Sequence, residues 1–122
     1  MNTLALSGSQ LTDAISEAMV ALYAEFYGAQ HTTATTYIND NVVVSILEGI
    51  LSAHESDQIA DGASSDVIDG RVAFQKDTED EFTAAVERLT RRSVTAFMSA
   101  NQTTPGIASE LFFLEAPPMS AV

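Results

Sequence analysis

The sequence contains no cysteine, so it can form no disulfide bond and offers no thiolate for catalysis, zinc binding or an iron–sulfur cluster. Basic residues are scarce: 5 Lys and Arg stand against 17 Asp and Glu, a formal net charge of −12. Because nucleic-acid binding depends largely on neutralising phosphates, this charge argues against a nucleic-acid partner. It argues equally against direct docking on an anionic membrane surface.

Long apolar runs are also missing. No stretch approaches the roughly 20 apolar residues that a helix needs to cross a bilayer. The segment 1–10 has no Lys or Arg, and its apolar stretch is too short for a signal peptide. We therefore expect no membrane insertion and a cytoplasmic location. Any work at a membrane would require recruitment by a membrane protein.

What the chain does have is enough material for one core. Hydrophobic residues are 46% of its 122 residues, a length typical of a single domain. We expect residues 1–116 to form this domain. Residues 117–122 begin with two prolines, which end the last strand, and we expect them to be a flexible tail.

Apolar periodicity predicts two successive helix–hairpin units. The predicted elements are a helix at 8–27, strands at 32–39 and 42–51, a short helical turn from 52, a helix at 66–92, and strands at 93–101 and 107–115. Capping boxes at Ser7-x-x-Gln10 and Ser52-x-x-Glu55 mark two helix starts. The fold class is therefore α+β, in the order αββαββ, with a four-stranded, largely antiparallel sheet packed by two long helices.

The second and fourth strands carry apolar residues on both faces. In a sheet with one solvent-exposed face, apolar and polar residues should alternate along each strand. Either the two long helices lie on opposite faces, or both lie on one face and a second subunit covers the other. The pattern favours the second arrangement, a homodimer. The candidate interface residues are Val43, Leu47, Phe112 and Leu114.

Few residues suggest chemistry. Arg71 could grip an anionic ligand, and Glu48, on an apolar strand face, could be a buried carboxylate with a raised pKa. The simpler interpretation of Glu48 is a strand-end residue that reaches water, and Glu110 poses the same question. His31 and His54 form no metal-binding spacing, and the acidic run at 77–81 has the pattern of a solvated helix face.

Two blocks resemble the MpsC family: Thr36-Tyr37-Ile38-Asn39-Asp40-Asn41-Val42-Val43-Val44 and Leu47-Glu48-Gly49-Ile50-Leu51. The similarity continues through 82–89 and 97–101. The resemblance implies association with a sodium-translocating, membrane-potential-generating system, as an accessory component, and implies no catalytic residues. Relatives usually carry a basic loop before the first strand, whereas here that loop is Gly28-Ala29-Gln30-His31.

Three functions compete at this point. The first is a non-catalytic cytoplasmic accessory or regulatory subunit with a membrane transporter as partner. The second is a stand-alone dimeric module that binds a small ligand near Arg71 or Glu48. The third, an enzyme, has the least support, because the sequence has no Gly-x-Ser-x-Gly motif and no phosphate-cradling loop. No cofactor and no metal are expected.

Overall fold

Helices and strands alternate along residues 6–116, the part of the chain that the computed structural model describes. The elements are α1 (Gly8–Tyr27), β1 (Thr33–Asn39), β2 (Val42–Glu48), α2 (Ala53–Ala60), α3 (Ser64–Thr90), β3 (Val94–Thr103) and β4 (Gly106–Leu114). The α+β class and the two helix–hairpin units are confirmed. The predicted helical turn after Ser52 is a separate helix, α2. The tail predicted for 117–122 lies outside the described residues.

The four strands form one sheet in the order β1-β2-β4-β3, and every neighbouring pair is antiparallel. Each hairpin contributes one central and one edge strand, so the two hairpins meet through β2 and β4. This pairing places Ser45 opposite Glu110 and Val43 opposite Phe112. The sheet therefore joins the two halves of the chain directly.

Both long helices pack on the same face of the sheet. Ile15, Met19 and Tyr23 of α1 are fully buried, and Phe82 of α3 stacks on Phe97 of β3. The shared core joins these residues to the sheet side chains of one face. Complete burial of one large apolar side chain contributes about 1.5–3 kcal/mol, so this single layer holds the subunit together.

The candidate interface residues belong to this core. Val43, Leu47 and Phe112 are 0% exposed and Leu114 is 2% exposed. They face α1 and α3, which corrects the expectation that they form an exposed surface. Strand alternation alone could not decide which of two apolar faces the helices cover, because both faces have the same character. The other face stays open within the described residues.

Local interactions explain where some of the helices and strands begin or end. Ser52 and Glu55 form the predicted capping box at the start of α2. The predicted box at Ser7 is wrong, because the Ser7 side chain makes no capping hydrogen bond. Strand β2 stops earlier than predicted, since Gly49 turns the chain with a φ of 67°.

Candidate functional site

A row of polar side chains crosses the helix-covered face of the sheet. Thr36, Ser45, Glu110 and Ser99 occupy paired positions on the four strands. The hydroxyls of Thr36 and Ser45 lie 2.8 Å apart, and Ser16 of α1 lies 2.8 Å from Thr36. We call these four strand residues the polar row. Polar groups in such a place need internal partners, because water does not reach them.

Glu110 is the unusual member of the polar row. It is only 2% exposed, and its Oε2 accepts a hydrogen bond from the Tyr23 hydroxyl of α1. Its Oε1 has no hydrogen-bond partner among the described residues. A fully buried carboxylate oxygen without a donor is unfavourable when ionised, and a proton on the carboxyl group removes that charge.

Burial accordingly raises the pKa of Glu110 to about 7. The hydroxyls of Ser99 and Tyr23 and the positive charge of Arg71 act in the opposite direction and lower this pKa, without overcoming burial. Burial, together with the neighbouring Glu110 carboxylate, also raises the pKa of the Tyr23 phenol. Tyr23 therefore stays protonated and acts as a hydrogen-bond donor. The pair can hold one exchangeable proton, on Glu110, near neutral pH.

Arg71 of α3 lies beside this pair and connects four other parts of the fold. Its guanidinium donates to both carboxylate oxygens of Glu55, at 2.8 and 2.7 Å, and to the side-chain oxygen of Asn101 at 3.0 Å. It also donates to the main-chain carbonyl of Ile50. The ring centre of Tyr27 lies 4.2 Å from its central carbon. Arg71 is 2% exposed, so these contacts are shielded from solvent.

Glu55, the carboxylate that pairs with Arg71, belongs to the same hydrogen-bond network. Burial alone would raise the pKa of Glu55, but hydrogen bonds from Arg71 and from the Ser52 main chain outweigh burial and lower it. Glu55 therefore remains ionised. It has two tasks at once, capping α2 through Ser52 and pairing with Arg71. The ion pair ties α2 to α3.

A cavity of about 340 Å³ opens beside this ion pair, between α1, α2 and α3. Phe26, Tyr27 and Phe74 form an aromatic wall, in which the ring centres of Tyr27 and Phe74 are 5.6 Å apart. Glu55 and Asp66 add carboxylates to the lining. Because four hydrogen bonds already engage Arg71, its guanidinium is poorly placed to grip an added anion. The lining favours a cationic or neutral guest.

The structure does not bring Glu48 and Arg71 together. Glu48 is exposed at the end of β2 and borders a different cavity, with His31 and Pro105. The acidic run at 77–81 carries its carboxylates on the exposed side of α3. Within residues 6–116, no group of three or more His, Asp or Glu side chains is arranged to hold a metal ion.

Glu110 is the functional candidate that sequence reasoning ranked too low. Its sequence signal was a lone carboxylate among apolar residues of a strand, and Glu48 gave the same signal. The register distinguishes them: Glu110 lies in mid-strand on a central strand, under Tyr23, whereas Glu48 is the last residue of β2. The simpler interpretation of Glu48, a strand-end residue that reaches water, is confirmed, whereas the same interpretation of Glu110 is wrong, because Glu110 is 2% exposed.

None of the helices among the described residues combines the length and apolarity that a membrane crossing requires.

Comparisons with known proteins give one match. A family model described as "Na+-translocating membrane potential-generating system (MpsC)" matches residues 7–116. No curated protein and no solved structure matches the chain. The matched range runs from the start of α1 to beyond the end of β4, so it includes the polar row, the Arg71 ion pair and the cavity. The chain therefore belongs to the MpsC family.

Proposed function

We propose that this chain is a non-catalytic, cytoplasmic accessory or regulatory subunit of a sodium-linked, membrane-potential-generating system. The observation that carries the proposal is the family match over residues 7–116. The fold has no membrane-crossing helix among its described residues, so contact with the membrane system would be made through a protein partner.

The charge of the chain supports a protein partner of that kind. Cytoplasmic loops of membrane proteins are enriched in Lys and Arg. Asp77, Glu79, Asp80 and Glu81 are all exposed on α3, in a chain whose net charge is −12. An acidic helix surface attracts basic loops and repels the anionic lipids around them. The hydroxyls of the core support a non-catalytic role, because those of Thr36, Ser45 and Tyr23 already make hydrogen bonds to other side chains of the core.

The test is recovery of the partner from the native host. The tagged chain is purified from gently solubilised membranes at low and at moderate salt, and the co-purifying proteins are identified. We expect an integral membrane transporter at low salt and less of it at moderate salt, because the contact is electrostatic. A variant with Asp77→Asn, Glu79→Gln, Asp80→Asn and Glu81→Gln should capture less at both salt concentrations.

The matched control neutralises four exposed carboxylates elsewhere, through Asp13→Asn and Glu17→Gln on α1, Asp40→Asn between β1 and β2, and Glu115→Gln after β4. If the partner requires the α3 surface, this control variant retains capture. Recovery of the chain without any membrane protein would refute the accessory-subunit proposal.

A second candidate function is a small-ligand-binding module, and the cavity between the helices is what favours it. Its volume lies at the small end of the usual range for ligand sites. Aromatic rings and carboxylates together suit a flat organic cation. A thermal-shift screen of such cations should find one that stabilises the wild type but not the Phe74→Ala variant. A broad screen without any shift would count against this function.

A further inference from the structure

The sheet face turned away from the helices, which we call the open face, is apolar along its middle. Its central row joins Tyr37, Val44, Leu111 and Met98, which are paired in register across all four strands. Tyr37 is 59% exposed and Met98 is 52% exposed. Phe113 and Ile46 extend the apolar surface on either side of this row.

The open face holds half of the large apolar side chains that are exposed among the described residues. Six large apolar side chains of the described residues are substantially exposed, and three of them, Tyr37, Ile46 and Met98, lie on the open face. Monomeric proteins rarely leave a contiguous apolar patch of this kind in water, and such patches mark interaction surfaces.

The charge distribution of the open face favours a second copy of the chain as the partner. The sixteen register positions of the open face carry one charged residue, Glu48, at the end of its strand. The exposed carboxylates of α1 and α3 lie on the helix side of the molecule. The middle of the open face has no acidic groups that would attract a basic partner, and the face has no basic groups that would attract an anionic lipid surface. A second copy of the chain presents the same neutral, apolar surface, so no like charges face each other across the middle of the contact.

We infer that the open face is the contact surface of a symmetric homodimer in which two copies pack their sheets face to face. An isologous interface uses the same patch on both subunits, and a neutral apolar patch is self-complementary. Sheets stacked in this way lie about 10 Å apart with interdigitating side chains. The inference is independent of the proposed membrane association.

The size of the face indicates which class of interface to expect. Four strands spaced about 4.8 Å apart, with seven paired residues at about 3.4 Å each, give a face of roughly 19 by 24 Å. Because protruding side chains make the accessible surface larger than this flat area, two such faces would together bury about 1,200 Å² of accessible surface. This value is near the lower end of the range for specific interfaces. An interface of this size is typical of transient association and is smaller than obligate dimer interfaces, so we expect a dimer that exchanges with the monomer.

The experiment is sedimentation equilibrium of the wild-type chain from roughly 1 to 500 μM. The average mass should rise from 13.0 kDa for the monomer toward twice that value. The double variant Tyr37→Glu with Met98→Glu places acids at exposed positions that the monomer core does not use. It should weaken the dimer by at least about a hundredfold, because carboxylates would be buried against each other.

Val72→Glu is the matched control, since Val72 is 53% exposed but lies on α3, on the other side of the molecule. This variant should dimerise as the wild type does, and circular dichroism should show all three proteins folded. A wild-type mass that stays at 13.0 kDa throughout overturns the inference. So does equal dimerisation of the double variant, which would assign the contact to a strand edge or to the helices.

Discussion

At the scale of single residues, Glu110 makes a pH-dependent contribution to stability. Its pKa is raised in the folded state to about 7, from 4.5, so the folded state binds the extra proton between these values. Its contribution to the free energy of unfolding therefore rises as pH falls from about 8 to about 5. Glu110→Gln removes the buried charge and keeps an acceptor for Tyr23. At pH 8 this variant should be more stable than the wild type by about 1–3 kcal/mol.

Urea unfolding at several pH values measures this difference, which should shrink toward pH 5. The groups that face Glu110 are Tyr23 of α1, Arg71 of α3 and Ser99 of β3, and Glu110→Gln leaves all three in place. Glu48→Gln removes one carboxylate from an exposed position and is the control for the loss of one negative charge. Equal profiles for Glu110→Gln and wild type would mean that Glu110 does not titrate in this range.

Arg71 should contribute to stability through its ion pair. Arg71→Met leaves the Glu55 carboxylate without its cation and the Ile50 carbonyl without its donor. Breaking one side of a buried pair costs about 3–5 kcal/mol. Arg88→Met is the control on the same helix, and because Arg88 is exposed it should change the free energy of unfolding by less than about 0.5 kcal/mol.

Adding Glu55→Gln to Arg71→Met removes the orphaned charge and should restore more than about 1 kcal/mol, as expected for coupled partners. Additive effects of the two substitutions would contradict a specific pair. Sequence alone could not place Arg71 in this role. Its partners Glu55 and Asn101 are 16 and 30 residues away in the chain, and nothing in the helix pattern marks them.

At the scale of elements, local signals predicted most of the fold. The helix α1 was predicted with its observed ends, where Gly28 takes a left-handed conformation and its main-chain N–H bonds back to the last turn. The capping box at Ser52 was also predicted from two partners three residues apart, whereas the same spacing at Ser7 produced no box. The face of the sheet that the helices cover was not predictable, since that choice depends on contacts between distant elements.

The end of β2 depends on Gly49. Its positive φ favours glycine, and a Cβ at this position would overlap the main-chain carbonyl of His31. Gly49→Ala should therefore destabilise the chain by at least about 1–2 kcal/mol.

Gly70→Ala should have the opposite effect on stability. Gly70 lies inside α3, and no atom lies near the methyl group that alanine would add, so the substitution should increase the free energy of unfolding by about 0.5–1 kcal/mol. Thermal unfolding of both variants measures the contrast, and the same sign for both would contradict it.

At the scale of the whole molecule, the net charge of −12 separates the two kinds of association by their response to salt. Two copies that meet through the open face bring their like net charges closer together. Salt screens this repulsion, since the screening length falls from about 10 Å at 0.1 M to about 3 Å at 1 M. The apolar contact itself does not need opposite charges. Raising NaCl from about 0.05 to about 0.5 M should therefore tighten the homodimer, by at least about threefold in dissociation constant.

Binding of the acidic α3 surface to a basic membrane-protein loop should respond in the opposite direction, because salt screens attraction there. Sedimentation of the pure chain and capture from membranes, measured over the same salt series, therefore test the two contacts separately. A dimer that weakens with salt would require charged groups at its interface, and the open face has only Glu48 to offer. That result would move the dimer contact to the helix side, where it would compete with the membrane partner for the same carboxylates.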